Sequence, residues 1–166
     1  MSESLSLFVD LQQCIESDSI PAQKTLEQWI KTSLIMAAET CQAPLKNEYE
    51  LTIRIVDKKE IQNLNNNYRH KNKATNVLSF PYEEFDFEVP EEVQLPLLGD
   101  LVICHKVVLE EAQSQGKTIT EHWAHMVVHG MLHLLGYDHI NDTEAEQMEV
   151  LEVNILKRLN FPDPYM

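Results

Sequence analysis

At 166 residues, with 43% apolar and 24% charged side chains, the chain has the size and composition of one globular domain with a buried core. Its net charge of −14 counts against a general nucleic-acid binder and against DNA, because phosphate contacts require a basic face. No apolar run is long enough for a bilayer, and the opening MSESLSLFVD lacks the basic start and apolar stretch of a signal peptide, so a cytoplasmic protein without membrane contact is expected.

Residues 5–10 (LSLFVD) and 51–56 (LTIRIV) alternate like half-buried strands. Between them a helix is expected after Pro21, with Leu26, Ile30, Leu34 and Ala37 at helical spacing. Asp57 and Glu60 form a capping-box pair, opening a helix with Ile61, Leu64 and Tyr68 on one face. NVLSFP (76–81) and LLGDLVIC (97–104) are two further strands, joined by a long acidic loop from Tyr82 to Pro96. The last third is helical. A short helix from Lys106 to Gln115 stops at Gly116, Thr118 with Glu121 caps a helix over 120–135, and Thr143 with Glu146 caps the final one. The expectation is an α+β fold: one domain over residues 1–166, a small mixed sheet of about four strands packed with about five helices.

Cys14, Cys41 and Cys104 are odd in number, far apart and in no paired spacing, so they are expected to be reduced core residues of a cytosolic protein. The basic residues are unevenly spread. Six of the 13 Lys and Arg fall between Arg54 and Lys73, opposed there only by Asp57 and Glu60. Seven carboxylates and no base follow between Glu83 and Asp100.

The segment most specific for chemistry is HGMLHLLGYDH, residues 129–139. His129 and His133, one turn apart on the expected helix, share a face and can reach one cation. Gly136 tolerates the left-handed conformation that ends a helix, and the turn after it can bring His139 round as a third nitrogen ligand. Three protein ligands leave a position for water, as in a catalytic zinc site, and other divalent first-row metals suit the same set. Trp123, Val127, Met131 and Leu134 lie on the opposite face, against the core. Asp138 is a candidate for orienting a ligand from behind and Asp100 for orienting Arg69 or a histidine, while His122 and His125 are expected behind the ligands or in structural hydrogen bonds. His125 and His129 are a geometrically possible alternative pair, but only the 129/133/139 set has the glycine turn that returns a third ligand. His70 and His105 carry no signal by spacing. Zinc peptidases with this motif place a glutamate general base directly after the first histidine; here that position is Gly130.

HGMLHLLGYDH, together with NNNYRHKNKATNVLSFP (65–81) and LLGDLVIC, resembles the YbeY-type endoribonucleases of bacteria, over most of residues 50–155. The resemblance implies a compact α+β domain with the metal at the end of a cleft, and a role in ribosomal RNA maturation, especially of the small subunit, and in ribosome quality control. It implies zinc ligands at His129, His133 and His139, and a functionally important arginine at Arg69. Asn76 stands where many relatives have aspartate, so no catalytic carboxylate is expected there. RNA carries its own nucleophile, the 2′-hydroxyl, so a peptidase-type glutamate is not obligatory. Arg69 is the candidate catalytic and phosphate-binding residue because its planar fork matches phosphate oxygens; Lys71 and Lys73 extend the contact to substrate.

The expected partners are thus single-stranded ribosomal RNA and the ribosome or its proteins. Two alternatives stand beside this reading. One is a zinc peptidase whose base is displaced to Glu149 or Asp138; the other is a non-catalytic, ribosome-associated metalloprotein whose acidic surface docks basic proteins.

Overall fold

In the computed structural model, which describes residues 5–82, 97–138 and 141–165, four strands and five helices follow one another in the expected order. Strands β1 (Ser6–Gln13), β2 (Glu48–Val56), β3 (Val77–Pro81) and β4 (Leu97–Cys104) form one mixed sheet in the order β1-β2-β4-β3. β1 and β2, and β2 and β4, pair in parallel, while β3 runs antiparallel along β4 at the edge. A parallel neighbour cannot follow through a tight turn. Helix α1 (Gln23–Cys41) makes the β1-to-β2 connection, and helix α2 (Lys58–Arg69) lies in the path from β2 to β3.

The period of two along the strands divides the core. Leu51, Ile53, Ile55, Leu101 and Ile103 point to the face covered by α1 and by helix α4 (Ile119–Leu134), where Leu26, Ile30 and Trp123 are fully buried. Val102 and Cys104 point the other way, onto Ile61 of α2 with Val56 and Leu78. Helices α3 (His105–Gln115) and α5 (Asp142–Arg158) flank α4. Trp123, Val127 and Met131 are completely buried, as are Ala124, Val128 and Leu132, so α4 is enclosed on most of its circumference. This central helix carries the histidines. Among the described residues, no helix is long and apolar enough to cross a membrane.

Several expectations need correction. Tyr68 does not share the buried face of α2: it is 65% exposed, edge-on to Phe80, and Asn65 takes the inward position. The final helix begins two residues earlier than Thr143 implies, because Asn141 caps it by accepting from the Glu144 amide at 2.9 Å. Asp57 caps α2 as expected, but the Glu60 side chain turns away to Arg54, so the reciprocal half of the box is missing. Of the three cysteines only Cys104 is buried; Cys14 and Cys41 are exposed. The acidic segment 83–96 lies outside the described residues.

Candidate metal centre and its cleft

Thr118 and Glu121 form a complete capping box at the start of α4, and Gly136, at φ +99°, turns the chain just after its end. Between these points His122, His125, His129 and His133 fall at spacings of three and four, along one face. The rings form a continuous row, with centroids 6.0, 6.2 and 4.6 Å apart in order.

Their partners determine which nitrogens carry protons. Nδ1 of His129 lies 2.6 Å from Oε1 of Glu152, on α5, and Nε2 of His125 lies 3.1 Å from its Oε2. Glu152 is fully buried. Burial works against its charge, yet the N–H groups of His125 and His129 and the Tyr165 hydroxyl outweigh that and hold its pKa down to about 2. An ionised carboxylate only accepts, so the His129 Nδ1 is a donor. Nδ1 of His133 faces the Tyr137 carbonyl at 3.0 Å, which also only accepts. In their neutral forms, both rings therefore keep the Nε2 lone pair, and the two Nε2 atoms face each other at 3.1 Å. Two nitrogens on one tetrahedral zinc stand about 3.3 Å apart. Facing lone pairs repel, and a shared cation relieves them. The donor set fits a metal on that geometry and that chemistry.

A second grouping overlaps it. His125, His129 and Glu152 place one ligating atom each within 4.8 Å of one another and can hold a metal ion. His139, the third histidine of the sequence motif, lies outside the described residues.

His129 and His133 open on a cavity of about 730 Å³ that Arg69, Lys71, Lys73 and Asp138 also line. The structure thus brings together residues 60 positions apart in sequence. Arg69 ends α2, donates from Nη2 to the Ser79 carbonyl at 2.6 Å and lies over the Phe80 ring, 5.6 Å from its centroid. His70 then adopts a left-handed conformation, φ +58°, that reverses the chain. Asn65 holds the resulting loop at two points, accepting on its carbonyl from the Lys71 amide and donating its side-chain amide to the Lys73 carbonyl. Lys71 and Lys73 are carried on a braced turn.

Other expected groups lie elsewhere. Asp100 lines a separate hollow of about 510 Å³ with Phe8 and Glu50, away from the histidines. Arg54 and Lys58, part of the basic run, pair with Glu60 and Glu110. Asn76 accepts from the Val77 amide and donates to Glu111, which also bonds His122. His125 shares the Glu152 carboxylate with His129. Glu152 itself was missed. Met148, Leu151 and Ile155 mark the apolar stripe of α5, and a glutamate on that stripe was the available signal.

Gly130 owes its identity to packing. Its carbonyl accepts from Ser79 Oγ at 3.0 Å, and a Cβ there would meet Leu101 Cδ2 at 2.9 Å and Ser79 Oγ at 3.3 Å. The helix packs closely on β3 and β4, so a side chain in the peptidase position would crowd Leu101, Ser79 and Val77.

Comparison with known proteins agrees with this architecture. The solution structure of TM1509 from Thermotoga maritima is similar at a TM-score of 0.54 and 22% identity, over 93% of this chain and 91% of that one, a likeness of fold. The family model described as endoribonuclease YbeY matches residues 12–160, a span that holds strands β2 to β4, the basic turn and the histidine row. The chain therefore belongs to the endoribonuclease YbeY family, and its role is cleavage of RNA.

Proposed function

We propose that residues 1–166 form a single metal-dependent hydrolase domain, a single-strand-specific endoribonuclease with zinc, or another divalent first-row metal, on His129, His133 and His139. The observation that carries the reading is the pair of Nε2 atoms 3.1 Å apart, each with its Nδ1 committed to an outside acceptor, opening on the cavity that holds Arg69. When bound, such a metal supplies a Lewis acid for a phosphoryl oxygen or activates water.

The chain's own residues do the rest. Arg69 presents its guanidinium to the cleft, fixed by the Ser79 carbonyl and the Phe80 ring, so it meets a phosphate already oriented. As charge grows on the phosphoryl oxygens, its planar N–H groups hold it. Lys71 and Lys73 draw the RNA backbone along the same wall. The substrate is proposed to be ribosomal RNA, in small-subunit maturation and ribosome quality control, with the ribosome or its proteins as partners in the cytoplasm. Asp138, on the wall beside His133, is a candidate for orienting the ligands. The close packing around Gly130 supports RNA over peptide as substrate, since a side chain in the position of the peptidase base would crowd Leu101 and Ser79.

The test is cleavage of a labelled single-stranded RNA by metal-loaded protein beside His133→Ala and His125→Ala, with a duplex of the same sequence as control. Cleavage of the single strand is expected to disappear in H133A and persist in H125A. Full activity in H133A with loss in H125A would move the metal to His125, His129 and Glu152. Hydrolysis of an unstructured peptide in place of RNA would overturn the nuclease reading.

A further inference from the structure

Glu152 is a fully buried carboxylate on α5 and accepts from three donors: His129, His125 and the Tyr165 hydroxyl. Removing such a charge from water costs several kcal/mol, and an apolar residue on this stripe would pack without that cost. Tying α4 to α5 does not require it.

Tyr165 reaches the carboxylate through a segment fastened at several points. After α5, Phe161 packs edge-on to Trp29 of α1, with centroids 5.9 Å apart. Lys117 donates to the Pro164 carbonyl at 3.1 Å, and the Tyr165 amide donates to Asp163 Oδ1 at 2.8 Å. The Tyr165 ring then stands edge-on to His125 at 5.4 Å, with its hydroxyl on Glu152 Oε2. Oε1 is left to His129 alone among these donors.

We infer that Glu152, clamped by Tyr165 and His125, is a positioning residue that keeps His129 protonated on Nδ1 with its Nε2 lone pair turned to the cleft, and is not itself a metal ligand. The inference rests on the proposed site at His129 and His133 and assigns the carboxylate lying behind it. A bond from Nδ1 to a carboxylate fixes both ring orientation and tautomer and raises the basicity of the opposite nitrogen. Without that acceptor the ring is free to carry its proton on Nε2, where it blocks a cation. Tyr165 matters because a carboxylate sharing its charge among fixed donors cannot rotate away from His129.

Cobalt(II) titration against a competing chelator, followed by the visible absorption of the bound ion, tests this in the wild type, E152Q, Y165F and H133A. E152Q is expected to lose affinity by roughly 10- to 100-fold. Y165F is expected to lose roughly threefold, the effect of one hydrogen bond, and Tyr165, 49% exposed, tolerates the change without unfolding. H133A is expected to lose cobalt altogether. If H133A binds like the wild type, the site reading itself falls. If H133A fails while E152Q and Y165F both match the wild type, only the positioning role falls; if E152Q fails as completely as H133A, Glu152 is a ligand. The ¹⁵N shifts of the histidine side chains in metal-free protein give a readout that a purely structural tie would not move. His129 is expected on the Nδ1–H tautomer in the wild type and to leave it in E152A, whereas an Nε2–H tautomer in the wild type would overturn the inference.

Discussion

Arg69 donates one N–H to the Ser79 carbonyl, and its remaining donors find no partner among the described residues, which suits a group held ready for an anion. Its removal is therefore expected to affect chemistry more than stability. Arg69→Ala should lower single-strand cleavage by roughly 10²- to 10³-fold and move the folding free energy by no more than about 0.5 kcal/mol. Arg69→Lys should recover only part of the rate, because a point charge replaces a planar fork. Initial rates on a labelled RNA, with urea melts in parallel, decide this; a lysine variant with full rate would reduce Arg69 to a simple positive charge. At this scale the pairing of His129 with His133 was legible because side chains four apart on one helix share a face, and the structure brings their Nε2 atoms to 3.1 Å. Glu152 was not legible as a partner of His129. The two lie 23 positions apart on different helices, and only the packing of α4 on α5 brings them to 2.6 Å. Asp100 lines a different hollow from the histidines, and proximity to a turn in sequence says nothing about which side of the sheet a side chain takes.

The elements were legible where hydrophobic period and end signals agreed. Helix α4 has both, an apolar run and the Thr118–Glu121 box, and the structure reproduces them. Around the start of α5 the signals compete, since Asn141 with Glu144 and Thr143 with Glu146 have the same spacing. Asparagine ranks above threonine at this position, and the earlier start gives the helix one more acidic residue, Asp142, in its first turn. Asn141→Ala should therefore cost about 1 kcal/mol, while Thr143→Ala, inside the first turn, should cost less than about 0.5 kcal/mol. Urea denaturation of the two variants separates them, and equal losses would return the cap to Thr143. For α2 the period alone misassigned Tyr68 because Asn65, a polar residue, takes the buried place. Its amide is needed to brace the Lys71–Lys73 turn, so a demand of the site overrides the apolar pattern.

Across the whole molecule, two buried histidines outside the proposed ligand set make stability depend on pH. Trp123 can only donate, so His105 accepts on Nδ1 at 2.9 Å and turns its Nε2–H to Ser19 and Ser17, neutral and nine-tenths buried. Burial lowers its pKa, and it lowers that of His122 against the opposing pull of Glu111. The unfolded chain takes up these protons near pH 6.5 and the folded chain only at lower pH. Their contribution is thus complete above about pH 6.5 and lost as the pH falls below it. Metal-free protein should unfold at lower urea at pH 5.5 than at pH 7.5, with a smaller difference in His105→Gln; an unchanged difference would remove His105 from the effect. The second global property is charge, where a chain at −14 must bind a polyanion. With Arg54 and Lys58 paired to carboxylates, Arg69, Lys71 and Lys73 remain as the cations of the basic run that line the histidine cavity. Each phosphate neutralised on a single strand contributes about 0.7 to the slope of log affinity against log salt, so three contacts predict a slope near −2. The H133A variant, expected not to cleave, allows the measurement with intact RNA. Its affinity for a single strand should fall with that slope from about 50 to about 300 mM salt, and to roughly −0.7 when Lys71 and Lys73 are both alanine. A flat plot would mean that RNA is not held by this basic wall. A slope far steeper than −2 would require further cations, with the acidic surface arranged to leave them accessible.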